Sequence, residues 1–346
     1  RAAKPLASSN RGSSQIFFRS NILDYSSRFR YAVVMETNTV PNTMAEAVAR
    51  FSDSEVAHDF FVQRRWPDGV ACPLDCGSTA VTYMPKRRRW YCRDCKGQFT
   101  AKTRTIFEDS PIGFDKWLPA FWLIASNRNG ISSYELHRGL GVTQKTAWFM
   151  LHRIREAMAD EHFTKLVGPV EADEAYFGGP RRRPNIGNRN LATKSEGPQE
   201  GKTAVFGMVQ RRESGKVRAF VVPGTRKATL ERKIQENVLK GAVLYTDAWT
   251  GYSKLHRQYI HHVINHSIEY VKGHVHTNNI ESFWALLKRM IRGTQTHVAP
   301  EHLQRYVEEQ VFRFNTRKDK DGERFAQSVD HADGKRLTYK TLTRRG

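Results

Sequence analysis

The stretch VGPVEADEAYFGG, residues 167–179, decides how the second half of this chain is read. Its residues alternate. Glu171, Asp173, Ala175 and Phe177 fall on one face of an extended strand, Val170, Ala172, Glu174 and Tyr176 fall on the other, and two glycines end it. Downstream, residues 203–210 and 216–222 read as a strand pair turned at 213–215, 229–239 as a helix, and 242–245 as a buried strand that ends at Asp247 in LYTDAWTGY. An aspartate where a strand stops either projects from the sheet edge or caps the next helix. Further on, HTNNIESFWALLKRMIRG reads as an amphipathic helix with a buried stripe of Ile280, Phe283, Trp284, Leu287 and Ile291. Glu281 and Lys288, seven apart, share one side of it.

Asp173 and Asp247 are separated by 73 residues, and Asp247 and Glu281 by 33. Two strand carboxylates followed by a helical one match an RNase H-like mixed sheet flanked by helices, with the acidic trio binding metal. Hard carboxylate oxygens hold Mg²⁺ or Mn²⁺, and paired ions activate the attacking oxygen and stabilise the leaving one in phosphoryl transfer. Bland readings stand beside this. Glu171 and Glu174 make the Asp173 region an acidic cluster that solvation alone would explain, and Asn278 is an N-cap candidate with Glu281 as its capping-box partner.

The composition sets the partner class. The 346 residues carry 56 Lys and Arg against 35 Asp and Glu, a net charge of +21, which predicts a polyanionic partner, nucleic acid first. A membrane surface is the rival, but no anchor is visible. The longest apolar-rich stretch, Trp117 to Ala125, is far short of the ~18 residues that span a bilayer. Mean hydropathy of −0.62 and 39% hydrophobic residues exclude collagenous and wholly disordered classes.

All four cysteines sit in two knuckles. Cys72 and Cys76 form C-x3-C, Cys92 and Cys95 form C-x2-C, and 15 residues lie between the pairs. Thiolates at these spacings can occupy the corners of a tetrahedron around Zn²⁺, with 80–84 and 88–91 as ribbon strands. Two disulfides in a secreted chain are the alternative. Arg87 and Arg88, in the basic run 86–89 at the hairpin, are candidate phosphate contacts or a solvated tip.

A helical region follows. Ser132 and Ser133 offer an N-cap for a helix ending near Leu140, Gly141 breaks it, and Thr143 caps another running to about Ala157. This is either a helix-turn-helix or a plain helical hairpin. In the first case Gln144 and Lys145 reach base edges, with His152 and Arg153 also outside.

The expected class is therefore a multidomain α/β protein: 1–45 a disordered or upstream segment, with 1–34 preceding the first methionine, Met35; 46–110 a zinc ribbon; 111–162 a helix-turn-helix DNA-binding domain; 163–317 the catalytic domain with a basic loop at 178–202; and 318–346 a C-terminal tail. In the loop, Arg181 and Arg182 are candidates to close onto DNA. His261, His262 and His266 form a local cluster read as DNA-facing or surface rather than metal-binding.

Together, CPLDCGS with YCRDCKGQFT, then EADEAYFGG, YTDAWTGY, VHTNNIESFWALLKR and YVEEQVFRFNTR resemble insertion-sequence transposases of the zinc-ribbon, DDE type, over about Phe60 to Arg317. The first knuckle is one residue wider than the C-x2-C common in that family. The resemblance implies that Asp173 and Asp247 are metal ligands, that Glu281 is the third acidic residue and that Lys288 contacts DNA nearby, with Arg289 and Arg292 along the same backbone. Family members vary at the third position, where asparagine can replace glutamate, so Asn278 competes with Glu281; a carboxylate binds Mg²⁺ better than a carboxamide. The implied reaction is hydrolysis at an element end followed by 3′-hydroxyl attack on target DNA. The implied partners are double-stranded terminal inverted repeats and target DNA, the assembly a homo-oligomer on paired ends, and the setting the bacterial cytoplasm and nucleoid. A structure-specific nuclease or resolvase, and a non-catalytic DNA-binding regulator, are the alternatives.

Overall fold

Thr43 begins the first helix, α1 (Met44–Phe51), by accepting the Glu46 N–H on its hydroxyl at 3.2 Å, and Asp53 begins α2 (Ser54–Arg65) by accepting that of Glu55 at 2.8 Å. The computed structural model describes residues 39–159, 164–178, 201–211, 215–247, 255–264 and 277–343; the side chains of Asp247 and Ile264 lie outside that description. After α2 come β1 (Val81–Met84), β2 (Arg89–Cys92) and β3 (Gln98–Phe99), an antiparallel sheet in chain order. Trp90 is its anchor, stacked on Phe99 at 5.8 Å and tilted against Tyr83 at 4.8 Å.

The apolar run at 117–125 lies within α3 (Phe114–Ser126), where it builds the first core. Trp117, Phe121 and Trp122 are buried with Phe51, Phe60, Phe61 and Phe107. Among the described residues no helix is long and apolar enough to cross a membrane. Next, Ser132 and Glu135 form a reciprocal capping box at the start of α4 (Ser133–Leu140), Gly141 takes the left-handed conformation at φ +62°, and Thr143 caps α5 (Gln144–Met158). The helix boundaries match expectation to within a residue.

The second half holds β4 (Val170–Gly178), β5 (Lys202–Gln210), β6 (Val217–Val222), α6 (Lys227–Asn237), β7 (Val243–Asp247), β8 (Ile260–Ile264), α7 (Asn278–Arg289) and α8 (Leu303–Asn315). The sheet order is β6-β5-β4-β7-β8. β4, β5 and β6 are antiparallel neighbours, while β7 runs parallel to β4 and β8 parallel to β7. The mixed sheet flanked by helices is as expected, with β8 an addition. Ala175, Phe177, Val205 and Val209 pack against Ile280, Phe283, Trp284 and Val307 from α7 and α8. Ala172, Phe206 and Met208 pack against Leu230 and Ile234 of α6 on the opposite face.

The structure corrects the expected division of the chain in two places. Residues 318–346 do not form a tail through their described length: they supply α9 (Asp321–Asp330) and α10 (Tyr339–Thr343), and Phe325 enters the first core at 5.8 Å from Phe51 and 5.4 Å from Trp122. Nor does a boundary at 110/111 separate two cores, because one apolar cluster runs from Ala47 through the ribbon to Met158. A buried ionic joint then links α5 to α8. Glu309 accepts from Arg155 Nε at 2.5 Å and from Arg313, four residues on. His152 packs beside it, 5.0 Å from the His302 ring and edge-on to Tyr306 at 5.6 Å.

Candidate functional site

Asp173 lies half-buried on the face of β4 that meets α7, and its Oδ2 accepts the indole N–H of Trp284 at 3.0 Å. The backbone makes room for that contact. Gly207 is the register partner of Asp173 on β5, and a Cβ there would lie 2.6 Å from the Trp284 ring and 2.9 Å from Ile280 Cδ1. Gly207→Val is therefore expected to push Trp284 off Asp173, destabilising the chain by about 1–3 kcal/mol through overpacking. Urea unfolding checks it; wild-type stability in the variant would contradict the packing described.

β7 pairs with β4 at Val170↔Leu244 and Glu171↔Tyr245. Asp173 lies two residues beyond Glu171 on β4, and β7 ends at Asp247, two residues beyond Tyr245. α7 carries the remaining acidic candidate. Glu281 is exposed and accepts from the Thr277 hydroxyl at 3.2 Å. At about 100° per helical residue, Glu281 sits about 60° round from Trp284 and the exposed Asn278 about 120°. Of the two competitors, Glu281 is the one on the Trp284 side.

The capping-box reading of Glu281 is overturned. Thr277, not Asn278, is the N-cap of α7, and it makes no side-chain cap bond. The free N–H groups of this helix go instead to Glu171, whose Oε2 accepts from Asn279 N and Ile280 N, both at 2.9 Å. Glu171 is fully buried, so it is no member of a solvated acidic cluster. Sequence reasoning missed its role; the available signal was a carboxylate on the face that Ala175 and Phe177 mark as apolar.

Lys288, one helical turn beyond Trp284, and Arg292 line a cavity of about 670 Å³ with Phe177, Gly178 and His297. Arg289 is exposed on α7. Arg181 and Arg182 lie outside the described residues, as does His266. Neighbouring positions on β8 send His261 and His262 to opposite faces: His261 shares a 2.8 Å hydrogen bond with the Thr246 hydroxyl, and His262 stacks on Tyr245.

At the start of α5, Lys145 is exposed with its ammonium 4.8 Å from the Tyr339 ring, and Gln144 donates to the Ser133 hydroxyl at 2.9 Å. Arg153 and His152 are not outside, contrary to expectation. Arg153 is buried, donating to the Leu337 carbonyl at 3.0 Å and lying over Phe149, because the C-terminal segment covers that side of the helix. His152 is fully buried against α8.

The four cysteine sulfurs converge within 4.8 Å of one another, with Cys72 and Cys95 3.7 Å apart and Cys76 and Cys92 3.6 Å apart. A tetrahedron with Zn–S bonds of about 2.3 Å has edges of about 3.8 Å, so these thiols fit Zn²⁺, whereas a disulfide needs about 2.05 Å. Backbone N–H groups of Cys95 and Asp94 bring the Cys92 thiol down to about 6, while burial pushes the Cys72 thiol up to about 12, so zinc binding would have to displace a proton there. Metal analysis should give one zinc per folded chain, and Cys92→Ser should lose it together with the ribbon sheet; folded protein with substoichiometric zinc would contradict the assignment. Arg87 and Arg88 stand exposed at the hairpin, Arg88 paired with Glu55.

Residues 165–315 match the ISXO2-like transposase domain, and residues 52–98 match the transposase zinc-ribbon domain. The chain is 30% identical over 288 residues to an uncharacterized protein in transposable element ISH50 of Halobacterium salinarum, a match covering 77% of this chain and 94% of that protein. It is also 35% identical over 101 residues to an uncharacterized transposase-like protein of Haemophilus influenzae, covering 29% of this chain and 81% of that protein. The chain belongs to the ISXO2-like transposase family.

Proposed function

We propose that this transposase binds the ends of its element and, with divalent ions held by Asp173, Asp247 and Glu281, hydrolyses a phosphodiester there and joins the freed 3′-hydroxyl to target DNA. What supports the reading is that Asp173 lies on β4 and Asp247 ends the neighbouring parallel strand β7, while α7, which carries Glu281, is tied to β4 through the Trp284–Asp173 bond. The strand order supports an RNase H-like reading of the sheet. The donor set suits Mg²⁺ or Mn²⁺, which prefer carboxylate oxygen, and such ions supply charge stabilisation at the attacking and leaving oxygens. The chain's own contribution is to hold those carboxylates and the DNA in place.

For DNA, the net charge of +21 supplies general attraction. Lys288 and Arg292 beside the cavity, with Arg289 on the same helix, suit backbone phosphates near the acids. The α4–α5 pair supports a helix-turn-helix reading in which Gln144 and Lys145 approach bases, while Arg87 and Arg88 of the ribbon meet phosphates. Joining two ends calls for a homo-oligomer. Incubating the full chain with duplex element ends, a plasmid target and Mg²⁺ or Mn²⁺ tests the reading: plasmid-joined products are expected. Cutting without joining would identify a nuclease, and binding without cutting a regulator.

A further inference from the structure

Two residues before each candidate acid lies a member of one network built around the buried Glu171. On β4, two residues before Asp173, Glu171 is fully buried. On α7, two residues before Glu281, Asn279 donates to Glu171 from both its backbone N, at 2.9 Å, and its Nδ2, at 2.8 Å; Ile280 N adds a third bond at 2.9 Å. On β7, two residues before Asp247, the Tyr245 ring lies 3.8 Å beneath the Arg211 guanidinium, and Arg211 Nε donates to Glu171 at 2.6 Å. Glu171 and Tyr245 are also register partners across β4 and β7.

We infer that Glu171 and Arg211 are positioning residues, a tier beneath the acidic trio that fixes β4, β7 and α7 relative to one another. Taking the Glu171 carboxylate and most of the Arg211 guanidinium out of water carries a desolvation penalty, and apolar side chains of similar volume would give a core of equal or greater stability. What an ion pair adds is direction. Glu171 accepts from two successive N–H groups at the α7 terminus, which fixes the rotation and height of that helix and so where Glu281 stands over the sheet. Arg211 spans from that carboxylate to the β7 ring, tying the strand of Asp247 to the same point. Partners behind metal ligands typically change metal affinity or activity 10–100-fold when lost.

This inference rests on the functional reading above, and its test separates the two. The full chain and the variants Glu171→Gln, Arg211→Gln and Asp173→Asn are compared for Mn²⁺ binding, by the resonance signal of free Mn²⁺, for the Mn²⁺ concentration giving half-maximal end cleavage, and for thermal unfolding. Both tier variants should need about tenfold or more Mn²⁺ in the binding and cleavage measurements, with cleavage by Glu171→Gln recovering at high Mn²⁺. If a tier variant loses thermal stability but its folded fraction binds Mn²⁺ as the parent does, the role is structural only and the inference fails. If Glu171→Gln does not fold, Arg211→Gln decides by the same measurement. If Asp173→Asn leaves Mn²⁺ binding and cleavage intact, the functional reading fails first and takes this inference with it.

Discussion

Asp173→Asn should lower end cleavage about a thousandfold or more while leaving the chain folded and able to bind element DNA. Divalent ions contribute several kcal/mol of charge stabilisation in phosphoryl transfer, and each 1.36 kcal/mol is about tenfold in rate. Asparagine removes the charge that holds the ion but keeps an oxygen able to accept the Trp284 indole N–H, the bond that links this strand to α7 at 3.0 Å. The comparison is therefore sharper than with alanine. Single-turnover cleavage of a labelled duplex end, beside a gel-shift titration of the same duplex, separates chemistry from binding. Cleavage within tenfold of the parent would remove Asp173 from the site.

The second large effect lies away from the acids, at the joint of α5 and α8. Glu309→Ala should cost about 3–5 kcal/mol, because it leaves Arg155 and Arg313 buried without their shared carboxylate. Urea unfolding measures it, and a loss below about 1 kcal/mol would show that water reaches the joint. The sign of the pH response follows from the same cluster. Burial pushes Glu309 upward, but Arg155 and Arg313 more than reverse this and hold its carboxyl below the usual range. Its stabilisation is complete above about pH 4.3, the ordinary glutamate value, and is lost as pH falls through the depressed folded value. His152 acts in an earlier window. Burial, then Arg155, His302 and Arg305, push its imidazole down to about 2, so the unfolded chain gains a proton below about pH 6.5 that the folded chain refuses. Stability should fall from pH 7.5 to 5, and His152→Leu should flatten that fall.

Short-range signals made much of the fold legible. The N-cap serines Ser132 and Ser133, the breaker Gly141 and the cap Thr143 act over short range, and they placed α4, its turn and α5 almost to the residue. Cysteine spacing likewise placed the ribbon, though β3, only Gln98–Phe99, is too short to show a pattern. Alternation over 167–177 identified β4 and the face of Asp173. Long-range packing was hidden. Phe325 sits in a polar stretch that reads as tail, and only its ring contacts with Phe51, Phe60 and Trp122, far back in the chain, make it core. β8 was obscured because His261 and His262 interrupt its apolar residues. Arg153 reads as outward on a helix drawn alone, and becomes interior once Leu337 lies against it. Glu171 is the clearest case. Its neighbours in sequence suggest a solvated acidic run, while its bonding partners Asn279 and Ile280 stand 108 and 109 positions away.

Anomalous diffraction from crystals of the full chain bound to an element-end duplex and Mn²⁺ tests the central claim most directly. Manganese density bridging the carboxylates of Asp173 and Asp247, with Glu281 in the same coordination sphere or one water away, is the expected result. Density on other groups alone, with the Asp173 and Asp247 carboxylates turned apart, would contradict it.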